Sequence, residues 1–223
     1  MVELITGLRA QDVRANLERV RSEIAGAGRD PSEVQILAAV KYVPLEEIGV
    51  LAEGGLGLLG ENRAQELVAK AQAYPERFTW DFIGQLQSRK VRQILPFVRY
   101  IHSVASDSAL EQLRRHGDAS TRIMVEVNVA GEAGKSGVAP GDLPGFLERS
   151  PVEVVGLMTM PPLAREPEDS RRYFAALREL ASEHGLPELS MGTSQDYVVA
   201  AQEGATIVRL GTSLYRRGRP GAS

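Results

Sequence analysis

The sequence predicts an α/β fold, a single (β/α)8 TIM barrel with an extra amino-terminal helix. Three observations carry that expectation. Apolar periodicity switches between that of a strand and that of a helix about eight times along the chain. The run Val34-Gln35-Ile36-Leu37-Ala38-Ala39-Val40 is apolar on both faces and rich in β-branched residues, which suits a strand in a parallel sheet covered on both sides. Glycine- and hydroxyl-bearing segments then recur directly behind the strand-like stretches, where α/β folds keep their sites.

The elements follow in order. A leading helix over Asp12 to Ala25 stops at Gly26 and Gly28. Strand-like segments lie near Val34 to Val40, Leu56 to Leu59, Trp80 to Ile83, Tyr100 to His102, Arg122 to Asn128, Glu153 to Leu157, Glu188 to Ser190 and Thr206 to Leu210. Helical periods fill most gaps, at Leu45 to Ala52, Arg63 to Ala73, Ser88 to Leu95, Ser108 to Arg115, Leu143 to Arg149, Glu168 to His184 and Gln195 to Gln202. Met160-Pro161-Pro162-Leu163 reads as a loop after a strand. One domain over residues 1–223 is expected, with 216–223 as a frayed tail.

Composition narrows the function classes. With 223 residues, 43% hydrophobic and 25% charged, the chain has the makeup of an ordinary globular domain. A net charge of -3 argues against a polyanion-binding surface, so nucleic acid is not an expected partner. No basic-then-apolar leader and no apolar run near the ~20 residues of a membrane span are present, and a cytoplasmic protein without membrane attachment is expected. The lack of cysteine removes disulfides, thiolate catalysis and cysteine-ligated zinc. His102, His116 and His184 lack metal-ligand spacing, and no metal site is expected.

Lys41 is the most informative residue. It stands at the carboxyl end of the first strand, and an amine partly withdrawn from water there can attack a carbonyl carbon. A lone strand-end lysine is more often solvated. Here it is joined by polar segments behind the other strands, including Gly60-Glu61-Asn62, Gly84-Gln85, Ser190-Met191-Gly192-Thr193-Ser194 and Arg209-Leu210-Gly211-Thr212-Ser213. The last two resemble the phosphate cup that many barrels build after strands seven and eight. A phosphate cup opposite an amine suits a ligand with a phosphate at one end and an aldehyde at the other. Gly134-Lys135-Ser136 hints at a nucleotide loop, but Val129 stands where a P-loop needs glycine.

The sequence resembles the pyridoxal-phosphate homeostasis protein family, also called the proline synthase co-transcribed family. The matching blocks are Ala39-Val40-Lys41, Gly60-Glu61-Asn62 with Gln65-Glu66, Phe82-Ile83-Gly84 with Leu86-Gln87-Ser88 and Lys90, and Ile101-His102-Ser103-Val104. They continue with Lys135-Ser136-Gly137, Gly156-Leu157-Met158, Leu189-Ser190-Met191-Gly192, and Val208-Arg209 with Gly211-Thr212. Asp81, Gln85 and Gln195 depart from the pattern, standing where a histidine, a proline and an acidic residue are usual.

The resemblance implies the barrel of the alanine racemase amino-terminal domain and pyridoxal 5'-phosphate (PLP) as cofactor, held as an aldimine of Lys41. It implies that Ser190, Ser194, Gly211 and Thr212 line the phosphate site, that Asn62 lies near the cofactor, and that Arg209 faces the pyridine nitrogen. An arginine there does not readily give the ring a proton, so the ring is a poor electron sink. The resembling racemases also take an opposing tyrosine from a separate carboxyl-terminal domain, whereas here the barrel is the last element expected. Tyr42 should point to the other face from Lys41 if the strand continues, and Tyr215 either reaches the site or packs. The expectation is therefore a monomeric, non-catalytic carrier in vitamin B6 homeostasis that buffers PLP and passes it to PLP-dependent apoenzymes. The alternative is a slow PLP-dependent amino-acid racemase or related enzyme.

Overall fold

The computed structural model describes residues 4–216. Eight strands, β1 (Gln35–Ala39), β2 (Leu58–Glu61), β3 (Thr79–Phe82), β4 (Tyr100–Val104), β5 (Arg122–Glu126), β6 (Glu153–Met158), β7 (Glu188–Ser190) and β8 (Ile207–Leu210), close into a barrel in sequence order. All pairs are parallel, and β8 returns to β1 with Ala38 opposite Leu210. The expected (β/α)8 barrel is what the chain forms. Helices α1 (Ala10–Gly26), α2 (Ile48–Glu53), α3 (Ala64–Ala73), α4 (Val91–Ile94), α5 (Asp107–His116), α6 (Leu143–Glu148), α7 (Arg171–Glu183), α8 (Tyr197–Gln202) and α9 (Thr212–Tyr215) make the outer layer.

Burial follows the strand period. Ala38, Val208 and Leu210 face outward onto the helices, whereas Leu37, Met124, Met158 and Ile207 fill the barrel interior. Gly60 makes room inside, since a Cβ there would fall 2.3 Å from Leu37 Cδ2. The extra helix α1 buries Val13, Leu17, Val20 and Ile24, a three- and four-residue spacing that places all four on one face. That face packs against α2, α8 and α9, and Asn16 Nδ2 donates to the carbonyls of Leu214 at 3.1 Å and Arg216 at 2.8 Å.

Several boundaries move for physical reasons. β1 ends at Ala39 because Val43 N–H donates to Val40 O at 3.0 Å, closing a turn with Lys41 and Tyr42 at its centre. The helix expected over Ser88 to Leu95 breaks into 3-10 turns around the short α4, with Pro96 inside the second turn. β5 stops at Glu126, and Val127 instead bridges Val138 across the loop. α7 starts only at Arg171, after a 3-10 turn over Pro167–Ser170. Of the tail expected to fray, residues 217–223 lie outside the described residues. Among the described residues, no helix is long and apolar enough to cross a membrane.

Candidate functional site

The carboxyl-terminal mouth of the barrel holds a cavity of about 590 Å³ lined by residues at or just past all eight strand ends, among them Ala39, Asn62, Ser103, Glu126, Thr193 and Arg209. Asn62 reaches this wall because β2 and β3 approach closely beside it. A Cβ on Gly84 would sit 2.0 Å from the Asn62 carbonyl oxygen, so only glycine allows that approach. Glu126 accepts from Ser136 Oγ at 2.9 Å, and burial raises its affinity for a proton despite that bond and the charge of Arg209.

Arg209 is buried in the interior face of β8 at 6% exposure. Nη1 donates to the carbonyl of Ser190 at 2.6 Å and to Ser190 Oγ at 2.5 Å. Nη2 donates to Thr159 O at 2.8 Å and to Met160 Sδ at 2.9 Å. Four contacts therefore take the four terminal N–H bonds, and no acceptor among the described residues reaches Nε. Burial pulls the guanidinium down to about 10, with Glu126 and Asp196 opposing, so it stays charged at neutral pH.

The Lys41 side chain is half-buried, and its Nζ rests 4.8 Å from the centroid of the Tyr42 ring. Tyr42 therefore does not point away from the lysine; the turn that ends β1 brings the two side chains together. Tyr215 is buried, and its hydroxyl donates to Ala39 O at 3.1 Å, so it packs against the end of β1. Its burial holds the phenol far above the usual range.

Ser194, Gly211 and Thr212 come together beside the cavity, one residue past Thr193 and two to three past Arg209. Ser194 Oγ accepts from Gly211 N–H at 3.2 Å and Ser213 N–H at 3.4 Å, and lies 3.0 Å from Ser213 Oγ. Thr212 is exposed next to them. Ser190 is not part of this cluster. It is fully buried in β7, and its hydroxyl serves Arg209 and His102 Nδ1, the latter at 2.8 Å.

Sequence reasoning missed Asp81 and His102, both fully buried inside the barrel, and the buried pair of Glu61 and Lys70. The sequence shows Asp81 as a departure from the family pattern and His102 as a histidine without metal-ligand spacing inside a matching block, and neither reading gives it a place in the site. The available signal was a polar residue inside an apolar strand, in Trp80-Asp81-Phe82 and Ile101-His102. Lys135 and Ser136, considered for a nucleotide loop, line the cavity instead.

Comparison with known proteins places the chain. The model of the alanine racemase N-terminal domain matches residues 8–217. A pyridoxal phosphate homeostasis protein of Aquifex aeolicus is 41% identical over 213 residues, covering 89% of this chain and 93% of that protein. PipY of Synechococcus elongatus, whose structure is solved with PLP bound, superposes with a TM-score of 0.77 at 31% identity, covering 92% of this chain and all of that one. Alanine racemase from Corynebacterium glutamicum shares the fold alone, with a TM-score of 0.72 at 15% identity over 96% of this chain and 62% of its own. The chain belongs to the pyridoxal phosphate homeostasis proteins, within the alanine racemase N-terminal domain family.

Proposed function

We propose that this protein holds PLP through Lys41 and acts in intracellular vitamin B6 homeostasis as a monomeric, cytoplasmic, non-catalytic carrier that supplies PLP-dependent apoenzymes. Arg209 carries the reading. A buried guanidinium with both terminal nitrogens committed offers one remaining donor, Nε–H, at the floor of a strand-end cavity, and an unprotonated ring nitrogen is the acceptor it suits. The rest of the donor set fits the same ligand. Lys41 brings an amine on a flexible stem just past β1, Asn62 a wall beside the ring, and Ser194 and Thr212 hydroxyl donors for the phosphate, next to Gly211, whose N–H donates to Ser194 Oγ. PLP, when bound, would supply an aldehyde to which the Lys41 amine would be the nucleophile. The homeostasis names and the PLP-bound relative support this reading.

Glu126 favours a second reading, a slow PLP-dependent amino-acid racemase or related enzyme, because a carboxyl with raised proton affinity in the same cavity is an available acid or base. One experiment tests the first reading and a companion separates the two. Borohydride treatment of the PLP-loaded protein followed by peptide mapping should fix the label on Lys41, and Lys41→Ala should lose it. A label retained at native stoichiometry in the variant overturns the assignment. Chiral analysis after incubation with single L-amino acids should find no sustained turnover, and Glu126-dependent racemisation at roughly 1 per second would establish the enzyme.

A further inference from the structure

A continuous hydrogen-bonded chain crosses the inside of the barrel from Arg99 to Arg209. Arg99 donates through Nε to Asp81 Oδ1 at 3.0 Å and through Nη2 to Oδ2 at 2.6 Å. Tyr100 N–H donates to Oδ1 at 3.2 Å, and His102 Nε2 lies 3.0 Å from Oδ2. Two acceptor contacts on each oxygen fill the lone-pair sites of an ionised carboxylate, so His102 Nε2 carries a proton and donates it. Burial pushes the Asp81 carboxyl up, but His102 and Arg99 outweigh it and hold it below its ordinary value. Burial likewise lowers the His102 imidazole against the pull of Asp81, which leaves the ring neutral with Nδ1 as an acceptor. Ser190 O–H then donates to Nδ1, and the Ser190 oxygen turns its lone pairs to Arg209 Nη1. Each proton in the chain is thereby assigned by its neighbours.

Barrel interiors are ordinarily filled by layers of branched apolar side chains, which avoid the desolvation cost of buried charge. A polar chain in that volume supplies direction instead. We infer that His102, held in its Nε2–H form by Asp81, is a positioning residue that fixes Arg209 through Ser190 so that Nε–H faces the ligand's ring nitrogen. This rests on the reading of Arg209 given above, and it adds Asp81 of β3 and His102 of β4 to a site whose proposed ligand contacts come from the ends of β1, β2, β7 and β8. Without the His102 acceptor, the Ser190 hydroxyl is free to rotate, and its proton can turn toward Arg209, where it repels the guanidinium.

The test compares PLP with its 1-deaza analogue, in which C–H replaces the ring nitrogen, by spectrophotometric titration of the full-length protein. A hydrogen bond to a charged donor implies that wild type prefers PLP by about tenfold or more. Arg209→Leu should bring that preference close to unity. His102→Leu and Ser190→Ala should do the same, each weakening PLP and leaving the analogue within about twofold, whereas His102→Asn, whose Oδ1 can stand in for Nδ1, should keep part of the preference. A purely structural role for His102 would weaken both ligands equally and keep the ratio, and that result overturns the inference even where binding drops. Should His102→Leu not fold, Ser190→Ala and His102→Asn carry the same comparison. If Arg209→Leu keeps the wild-type ratio, the ring-nitrogen reading itself falls and the inference with it. If Arg209→Leu loses the ratio and the His102 and Ser190 variants keep it, only the inference falls.

Discussion

Lys70 Nζ lies 2.6 Å from Glu61 Oε2 with both side chains buried, and the same ammonium donates to Val40 O at 2.9 Å. Glu61 Oε1 accepts the backbone N–H groups of Asn62 at 2.6 Å and Arg63 at 3.1 Å. One ion pair therefore anchors the residue before Lys41 and the backbone of Asn62, joining the ends of β1 and β2. Removing one partner leaves the other charged and buried, which typically costs about 3–5 kcal/mol. Lys70→Met should lower stability by that order in urea unfolding, and Lys70→Met with Glu61→Gln should recover much of the loss. A single variant within 1 kcal/mol of wild type would remove the pair as an anchor.

Gly84 is the second test of how the mouth is built. Its ideal Cβ would meet Asn62 O at 2.0 Å, and the obstacle is backbone, not the tip of a flexible side chain. Gly84→Ala should force β2 and β3 apart at a cost of about 1–3 kcal/mol and displace Asn62 from the cavity wall. Thermal unfolding reads the first effect and PLP titration the second. Unchanged values for both would mean that the strand ends yield freely.

The buried imidazole sets a pH dependence with a definite sign. His102 is held below the ordinary imidazole value of 6.5, so the unfolded chain takes up a proton before the folded chain does. Its contribution to stability is present in full above about pH 6.5 and is lost as pH falls toward the folded value, by up to about 1.4 kcal/mol per pH unit. Asp81, lowered from 3.8, contributes in the same direction but in a more acidic window, above 3.8 in full and lost as pH falls through its folded value. Unfolding free energies measured from pH 7 to 4.5 should therefore slope downward in wild type and flatten in His102→Asn. Parallel slopes would show that His102 does not titrate in this range.

The barrel was legible because each βα cycle announces itself locally. The two-sided apolar run at Val34 to Val40 and the glycines behind later strands mark strand ends without knowledge of any partner. The turn from Val40 to Val43 was not legible, because it is held by contacts from elsewhere, Lys70 on the Val40 carbonyl and Tyr215 on Ala39. That turn is why Tyr42 meets Lys41. Asp81, His102, Ser190 and Arg209 sit on four strands far apart in sequence, and only barrel closure lets them touch. Ser190 stands apart from the other expected phosphate residues for a related reason. Its neighbours Gly192 to Ser194 belong to the loop, but strand parity turns its own side chain into the barrel, beneath the mouth.

That parity separates two serines and a threonine that the sequence alone groups together. Ser194 and Thr212 stand beside the cavity with the N–H groups of Gly211 and Ser213, whereas Ser190 touches only Arg209 and His102 through its hydroxyl. Loss of a hydrogen bond to a charged group costs about 1.5–3 kcal/mol. Ser194→Ala and Thr212→Ala should weaken PLP by that order and leave pyridoxal, which lacks the phosphate, nearly unaffected. Ser190→Ala should weaken PLP and pyridoxal alike, because the group it supports faces the ring that both ligands share. Titration of the three variants with the two aldehydes gives six affinities. A phosphate-specific loss at Ser190 would return that residue to the cup, and equal losses for both aldehydes at Ser194 and Thr212 would move the phosphate elsewhere.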